Sequence, residues 1–514
     1  MIAAIAIMIA LLGAAVVWPF SLALLRSWTS PGSLSDQVVW WPRAELIART
    51  LAYPAGIASL AVALGLPAAW AMRASPGARG HWVQVACLAP VFLPSYLSYS
   101  ALNLARSPGN VFGDLLESAP DWVPMLTGRI IAGASLSIWA WPLVAWLLAP
   151  GCRSIPGSVL DAALLESPSR FARARLVVGM LWRAGSLGRA WLGVYLLMLG
   201  SAVPLHLAQV DTLAIHLWRV LDLAPEPVNA LIAGWPLVLA AGAGAWALSC
   251  RFERTWEHED AADARSPGSP VLAAVGSLAV LSALMPIALS AASLRRWESV
   301  GAFWVLLGPA VWGSVRTAAL AGLGGTMLCA AFWFGSAGSE RVSWAVRAGL
   351  GMLAFAALLP GVMIGSFTLG AWRGSGYEDS VLPLALAHVA RFGLIGALSG
   401  MALSRAESRA QRELRRAEGA DTLSGLLRTS WRAALPVMLA AGMATVLLSV
   451  QEIEAAVMLQ PPGAPLLAQR LLEQLHFARD EELAAATVNL GSLGFVVALA
   501  VAIVLARFLR PVRR

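Results

Sequence analysis

Between two runs of almost pure hydrocarbon lies the segment Arg405 to Arg432, RAESRAQRELRRAEGADTLSGLLRTSWR, which no fold of this chain can place inside a bilayer. It carries seven arginines, and each one at the centre of a spanning helix costs about 2.5 to 3.5 kcal/mol. The segment is therefore a cytoplasmic loop, and its spacing predicts helix. Leu423, Leu426 and Leu427 follow the i, i+3, i+4 pattern of one apolar stripe, while Glu413 and Arg416 sit three apart on a wet face. A short amphipathic helix held at the inner surface of a membrane is a docking surface.

The flanking runs set the class. The chain is 58% hydrophobic and 13% charged, where a soluble domain holds about 25% charged residues. A polytopic, all-α membrane protein follows. The formal net charge of +8 would suggest nucleic acid in a soluble chain, but every basic residue here is arginine and most fall in loops on one side. That is the positive-inside pattern, so nucleic acid is excluded as a partner and the lipid bilayer is the surrounding medium. Cys87, Cys152, Cys250 and Cys329 are far apart and form neither a disulfide framework nor a metal site. Tryptophans serve as interfacial anchors.

Windows of about 20 apolar residues fall near 2–25, 47–72, 83–105, 129–150, 186–206 and 229–250, then near 271–294, 311–335, 344–370, 382–404, 433–450 and 487–508. This reads as roughly twelve transmembrane helices, six in each half. Residues 1–250 form the first half with an extra N-terminal span, 251–270 a polar linker rich in charge and Ser/Pro/Gly, and 271–514 the second half. Met1 to Leu25 lacks a basic start and is long for a signal-peptide core, which makes it the first span. Arg73, Arg79, the stretch from Arg153 to Arg189, Arg341 and the tail RFLRPVRR share one side with the opening segment. Asp114, Glu117, Asp121, Asp211, Asp222, Glu378, Asp379, Asp480, Glu481 and Glu482 occupy the other. Both termini are thus expected to be cytoplasmic.

The halves are alike. RTLAYPAGIASLAVALGLPAAWAM from Arg49 resembles RTAALAGLGGTMLCAAFWFG from Arg316, and LAPVFLPSY around Pro94 matches AALLPGVMIG around Pro360 at nearly the same offset. A longer outside loop in the first half shortens the offset thereafter. The opening segment then falls on SVLDAALLESPSRFARARLVVGMLWRAG, Ser158 to Gly185, between the fourth and fifth spans.

These two loops resemble the EAA loop of binding-protein-dependent ABC importer permeases: Glu-Ala-Ala, three residues, then Gly. In the first copy Asp161, Ala162 and Ala163 stand for the triplet and Ser167 for the glycine. In the second, Glu413 and Gly419 match the ends, while Leu414 and Arg415 replace the alanines. Neither copy keeps the usual proline, whose place is taken by Met180 and Arg432. LLSVQEIEAAVMLQPPGAPLLAQRLLEQL from Leu447 is similar to the end of fused iron(III)-transport permeases, and the likeness runs from about Arg49 onwards. The resemblance implies the type I ABC importer permease fold in a bacterial inner membrane. Its implied partners are two copies of a cytosolic ABC ATPase, on the paired loops, and an extracytoplasmic binding protein. Ferric iron is the implied cargo, with thiamine, sulfate, polyamine or phosphonate as alternatives within the type.

Ionisable residues inside spans are functional candidates because lipid penalises them. His388 and Arg391 lie within a turn of each other in the tenth span, where the fourth has Trp139 and Trp141. Arg391 suits either an anion or the bracing of a helix junction through backbone carbonyls. Glu452 and Glu454 follow the eleventh span, where the first half has Val203, Pro204 and His206; they suit a cation path or a water-facing interface. Asp211 and His216 alone do not make a metal site. No GxxxxGK[ST], HExxH or GxSxG occurs, so neither ATP hydrolysis of the chain's own, nor enzymatic chemistry, nor a cofactor is expected. Two rivals remain. An ion-gradient-driven transporter would show mid-span carboxylates and broken helices in paired positions. A membrane-embedded transferase would show clustered acidic or His residues at a membrane surface.

Overall fold

The computed structural model describes residues 2–29, 43–73, 78–107, 111–166, 169–201, 203–251, 268–336, 344–406 and 430–508, with 413, 417, 418 and 425 besides; regular structure among them is entirely helical. The chain opens with α1 (Ile2–Leu12) and α2 (Trp18–Thr29), joined by a π-turn at Gly13–Val17. Next come α3 (Ala44–Arg73), α4 (Ala78–Phe92), α5 (Ser95–Asn103), α6 (Val111–Glu117) and α7 (Trp122–Arg153). The first half closes with α8 (Gly157–Glu166), α9 (Arg170–Arg183), α10 (Ser186–Leu199), α11 (Val203–Leu207), α12 (Leu213–Leu223) and α13 (Pro227–Arg251).

The second half of the chain follows. α14 (Ser269–Ala279) and α15 (Met285–Ser293) flank a π-turn at Val280–Leu284. α16 (Glu298–Ser336), α17 (Trp344–Leu358), α18 (Gly361–Trp372) and α19 (Val381–Ala406) follow. The half ends with α20 (Trp431–Gln451), α21 (Glu454–Leu459), α22 (Leu467–His476) and α23 (Asp480–Phe508).

Among the described residues nine helical stretches are long and apolar enough to cross a membrane. The number rises to eleven if α4–α5 and α17–α18, bent by 82° and 111°, each count as one span. The sequence expects about twelve, and the difference falls near 186–206. There α10 has 14 residues, about 21 Å of helix against about 30 Å of hydrocarbon. Gly185, with φ of 69°, turns the chain left-handed and severs α10 from α9. Of the linker read at 251–270, residues 252–267 lie outside the described residues. So does most of Arg405 to Arg432, including Leu423, Leu426 and Leu427.

The two π-turns are alike in a way that the apolar pattern hides. In each, an N–H bonds five residues back, Trp18 to the Gly13 carbonyl and Met285 to that of Val280, and a proline follows at once. Pro19 and Pro286 have no N–H to give, and their rings would strike the carbonyl four residues earlier. Widening the helix by one residue removes that clash. These prolines stand at the same offset as Arg49 and Arg316.

The helices gather into two compact units, neither continuous in sequence. One comprises Met1–Ile47, Leu213–Cys250 and Trp304–Ala478; the other comprises Ala48–Thr212, Arg251–Phe303 and Arg479–Arg514. Each unit is centred on the middle helices of one half and takes in the first and last helices of the other. In the first unit α2 packs on α17 and α18: Phe20 meets Phe355 and Phe367 edge-on at 5.2 and 5.5 Å, and Arg26 donates to the Gly370 carbonyl at 2.7 Å. In the second, α23 packs on α4 and α15. There the Glu481 carboxylate accepts the N–H groups of Arg295 and Arg296 and the Ser299 hydroxyl, which satisfies donors at the start of α16. The same unit holds a core of Ala68, Met72, Cys87, Trp141, Ala145 and Val275, within which the Trp141 indole donates to Ser282 at 3.2 Å.

Within the first unit α16 meets α19 and α20 backbone to backbone. A Cβ on Gly396 would strike the Gly325 carbonyl, one on Gly400 the Cys329 carbonyl, and one on Gly442 would lie 3.0 Å from the Gly322 carbonyl. Small residues spaced by four permit this approach, which membrane helices use in place of hydrophobic collapse. Gly308 on the same α16 has open space around its Cβ position. Gly400→Ala is therefore expected to cost about 1 to 3 kcal/mol, whereas Gly308→Ala leaves stability unchanged or raises it by up to about 1 kcal/mol. Thermal unfolding of the two variants in one detergent checks this; equal effects would contradict the backbone crossing.

Candidate functional site at two helix breaks

A helix interrupted inside apolar surroundings leaves carbonyl and N–H groups that water cannot meet, so neighbouring protein must meet them. This happens at Leu93–Pro94 and at Leu359–Pro360, each in its own unit. Both prolines take extended ψ values, 135° and 142°, and cap the following helix. The Pro94 carbonyl accepts from Leu97 and Ser98, and the Pro360 carbonyl from Met363 and Ile364. The same local sequence, Leu-Pro before a run of small or apolar residues, produces the same break.

The carbonyl just before each proline receives a side-chain donor from the long helix that follows. In one unit the Trp139 indole N–H of α7 donates to Leu93 at 2.9 Å. In the other the Arg391 guanidinium of α19 donates to Leu359 at 3.4 Å. Trp139 and Arg391 are the positions that the repeat aligns, so one structural task is done by a neutral group in one half and by a cation in the other.

The cation needs compensation. Arg391 Nε lies 3.0 Å from Glu452 Oε2, and Nη1 lies 3.4 Å from Glu454 Oε2; the side chains are only 12% exposed for Arg391 and 7% for each glutamate. Glu454 Oε2 also accepts the Gly361 N–H at 2.8 Å, and Glu452 Oε1 accepts the Ala455 N–H at 3.2 Å. Glu452 and Glu454 flank the gap between α20 and α21. Arg391 thereby joins two helix breaks, and each carboxylate caps the backbone of a helix start. Gly361 sits in the middle: a Cβ there would strike Glu452 Oε1 and lie 2.5 Å from Arg391 Nη1 and 2.7 Å from Glu454 Cβ.

Three of the four candidates inside or beside spans thus converge in one network. His388, one turn before Arg391, is 3% exposed, and neither ring nitrogen has a hydrogen-bond partner among the described residues. Its ring lies 6.3 Å from that of Phe392. In the first half Val203 and Pro204 are buried in α11 in place of the glutamates. Asp161 and Ala162 are exposed on α8, which also holds Ala163. Ser169 caps α9 by accepting the Ala172 N–H at 3.5 Å. Glu413 is helical and exposed, while Ser167 and Gly419 lie outside the described residues. No group of three His, Cys, Asp or Glu able to hold a metal ion occurs among the described residues.

Gly361, the Leu359 carbonyl and the Trp139–Leu93 bond are parts of these sites that reading the sequence as continuous spans passes over. The signal was present: a Leu-Pro step inside an apolar run, twice, at nearly one offset. Comparison with protein-family models, with curated proteins and with solved structures yields no match to this chain.

Removing one partner of a buried ion pair strands the others, at a cost of about 3 to 5 kcal/mol. Removing a neutral hydrogen bond costs about 1 kcal/mol. Arg391→Met is accordingly expected to destabilise the protein several-fold more in free energy than Trp139→Phe. Comparing their unfolding midpoints in the same nanodiscs tests the difference, and similar losses would show that the charge adds nothing to the junction.

Proposed function

We propose that this chain is the transmembrane permease subunit of a binding-protein-dependent ATP-binding-cassette importer. Two homologous halves, 1–250 and 271–514 joined by the linker 251–270, enclose the translocation pathway, with roughly twelve spans in all and both termini in the cytoplasm of a bacterial cell. One observation carries the reading. A single plan of π-turned first helix, proline-broken third element and long fourth helix occurs twice, and an arginine-rich segment follows the fourth helix in each half.

In this reading two cytosolic ATPase subunits dock on Asp161 to Gly185 and on Glu413 to Arg432. ATP binding closes the ATPase pair, draws the two loops together and opens the pathway outward; hydrolysis resets it. An extracytoplasmic binding protein delivers the cargo, for which ferric iron is proposed. Thiamine, sulfate, polyamines and phosphonates are to be screened beside it, because that partner carries most of the selectivity. The chain itself carries out no covalent chemistry.

A second reading, a transporter driven by an ion gradient, is favoured by one specific feature. The two bent helix pairs occupy repeat-equivalent positions, and one of them abuts buried carboxylates, the arrangement such transporters use around an ion site.

A tagged chain is expected to co-purify with an ATPase subunit, and Glu413→Arg to abolish ATP-dependent uptake into proteoliposomes carrying the full complex. Uptake that persists without ATPase and collapses with an ionophore would establish the second reading instead. The two loops are uneven, since the second keeps Glu and Gly while the first keeps the alanines. Gly419→Leu is therefore expected to reduce transport more than Ser167→Leu, and equal effects would refute unequal coupling.

A further inference from the structure

We propose that Arg73 and Arg153 tie the base of the arm α8–α9 to the end of α3, so that a force on the arm reaches α3 as well as α7 and α10. The tie stands on geometry alone; its role in transport rests on the importer reading above.

Within one unit α3 and α7 run side by side. Ser137 Oγ reaches the Ile57 carbonyl at 3.3 Å, and a Cβ on Gly65 would lie 2.7 Å from the Trp141 carbonyl. The two helices end together at Arg73 and Arg153. A helix end leaves four carbonyls without donors from its own backbone. Here each arginine serves the other helix: Arg73 Nη2 donates to the Ile155 carbonyl at 2.7 Å, and Arg153 Nη2 to the Met72 carbonyl at 3.3 Å. A cation at the negative end of a helix strengthens such bonds. The Arg73 guanidinium also lies 5.2 Å from the centre of the Trp70 ring on its own helix, which holds the side chain in place. A cap made within one helix stabilises that helix; a reciprocal pair fastens two together.

The arm departs from the gripped residue itself. Ile155 is buried, and Pro156 keeps it out of the helical region. From Gly157 the chain runs out along α8 and back along α9. There α8 packs on α9 and α9 on α10, while Phe171, 89% exposed, and Trp182, 67% exposed, stand clear of the bundle. The return lands at the same place. Gly185, with φ of 69°, turns the chain into α10, and Ser186 seats against α7, where a Cβ on Gly151 would lie 2.5 Å from its Oγ. Arg189 donates to that hydroxyl at 2.9 Å.

Departure and return are thus both fixed on α7 between Gly151 and Ile155, which makes the arm a lever on one fulcrum rather than a slack loop. Without the arginines that fulcrum belongs to α7 and α10. With them it includes α3. In the importer reading an ATPase engages Asp161 to Gly185, and Arg73 and Arg153 are the positioning residues that carry its displacement across to α3.

Electron spin resonance distances between labels at Ser158→Cys on α8 and Ala63→Cys on α3, both exposed positions, read the tie in the full chain in nanodiscs. Cys87, Cys152 and Cys329 are buried, and Cys250 is changed to serine. The otherwise wild-type chain is expected to give a narrow distribution. Arg73→Met with Arg153→Met is expected to give a broad one, since each charge-assisted bond removed shifts the balance toward a free arm roughly ten- to hundredfold. Lysine at both positions still donates to the carbonyls and is expected to restore the narrow distribution. Unfolding midpoints establish that each variant is folded. In proteoliposomes carrying the complete complex, the methionine pair is expected to lower cargo uptake per ATP hydrolysed, and the lysine pair to recover it. A distribution as narrow in the methionine pair as in the wild type would overturn the tie. Broadening with uptake per ATP unchanged would overturn its role in coupling. Wild-type uptake that needs no ATP would refute the importer reading instead and leave the tie to be decided by the distances.

Discussion

Everything in the candidate site follows from one requirement, that backbone groups released by a helix break in apolar surroundings be met from within the chain. At Leu93 the requirement is met by an indole N–H and nothing further is needed. At Leu359 it is met by a guanidinium, and that choice propagates. The cation calls for counter-charges, the counter-charges come from Glu452 and Glu454, and those residues bring a second helix break into the same network. Gly361 has no side chain because the space a Cβ would fill is taken by the ions. The two halves share one backbone plan but not one electrostatic state.

The repeat has a consequence for folding as well. Each compact unit is assembled from the middle of one half and the end helices of the other. Neither half can therefore complete its own packing before the other is made. The prolines at 19 and 286 mark the helices that are exchanged, and the π-turn before each holds that helix together where an ordinary turn would break.

Membrane character and the approximate limits of the long helices were legible in the sequence, because each rests on hydropathy. The broken spans were not. Residues 83–105 and 344–370 are apolar throughout, and hydropathy does not register the direction of the chain, so the Leu-Pro steps at 94 and 360 read as markers of homology rather than as bends. The span expected near 186–206 overran for the same reason: Val203, Pro204 and Leu205 carry the apolar run onward in sequence, yet α10 ends at Leu199. In the candidate site, Arg391, Glu452 and Glu454 were found because ionisable residues stand out against hydrocarbon. Their mutual pairing, across more than sixty positions of sequence, depends on how α19 meets the gap after α20, which no local pattern encodes. Of the two roles open to Arg391 from sequence, bracing of a helix junction calls for a contact with a backbone carbonyl, and Arg391 donates to that of Leu359.

The glycine crossings of α16 with α19 and α20 have a mechanical meaning beyond close approach. Helices that interlock through side chains fit ridge into groove, and displacing one along the other forces side chains out of their wells. Gly396 and Gly400 face bare carbonyls, but beside them Val389, Thr445 and Val446 seat their side chains against Gly324, Gly325 and Gly322, and Thr326 seats its own against Gly442. Side chains held in glycine hollows resist sliding as well as separation, as a key does in its slot. In this unit the charged clamp at Arg391 and the keyed face of α16 are both stiff elements.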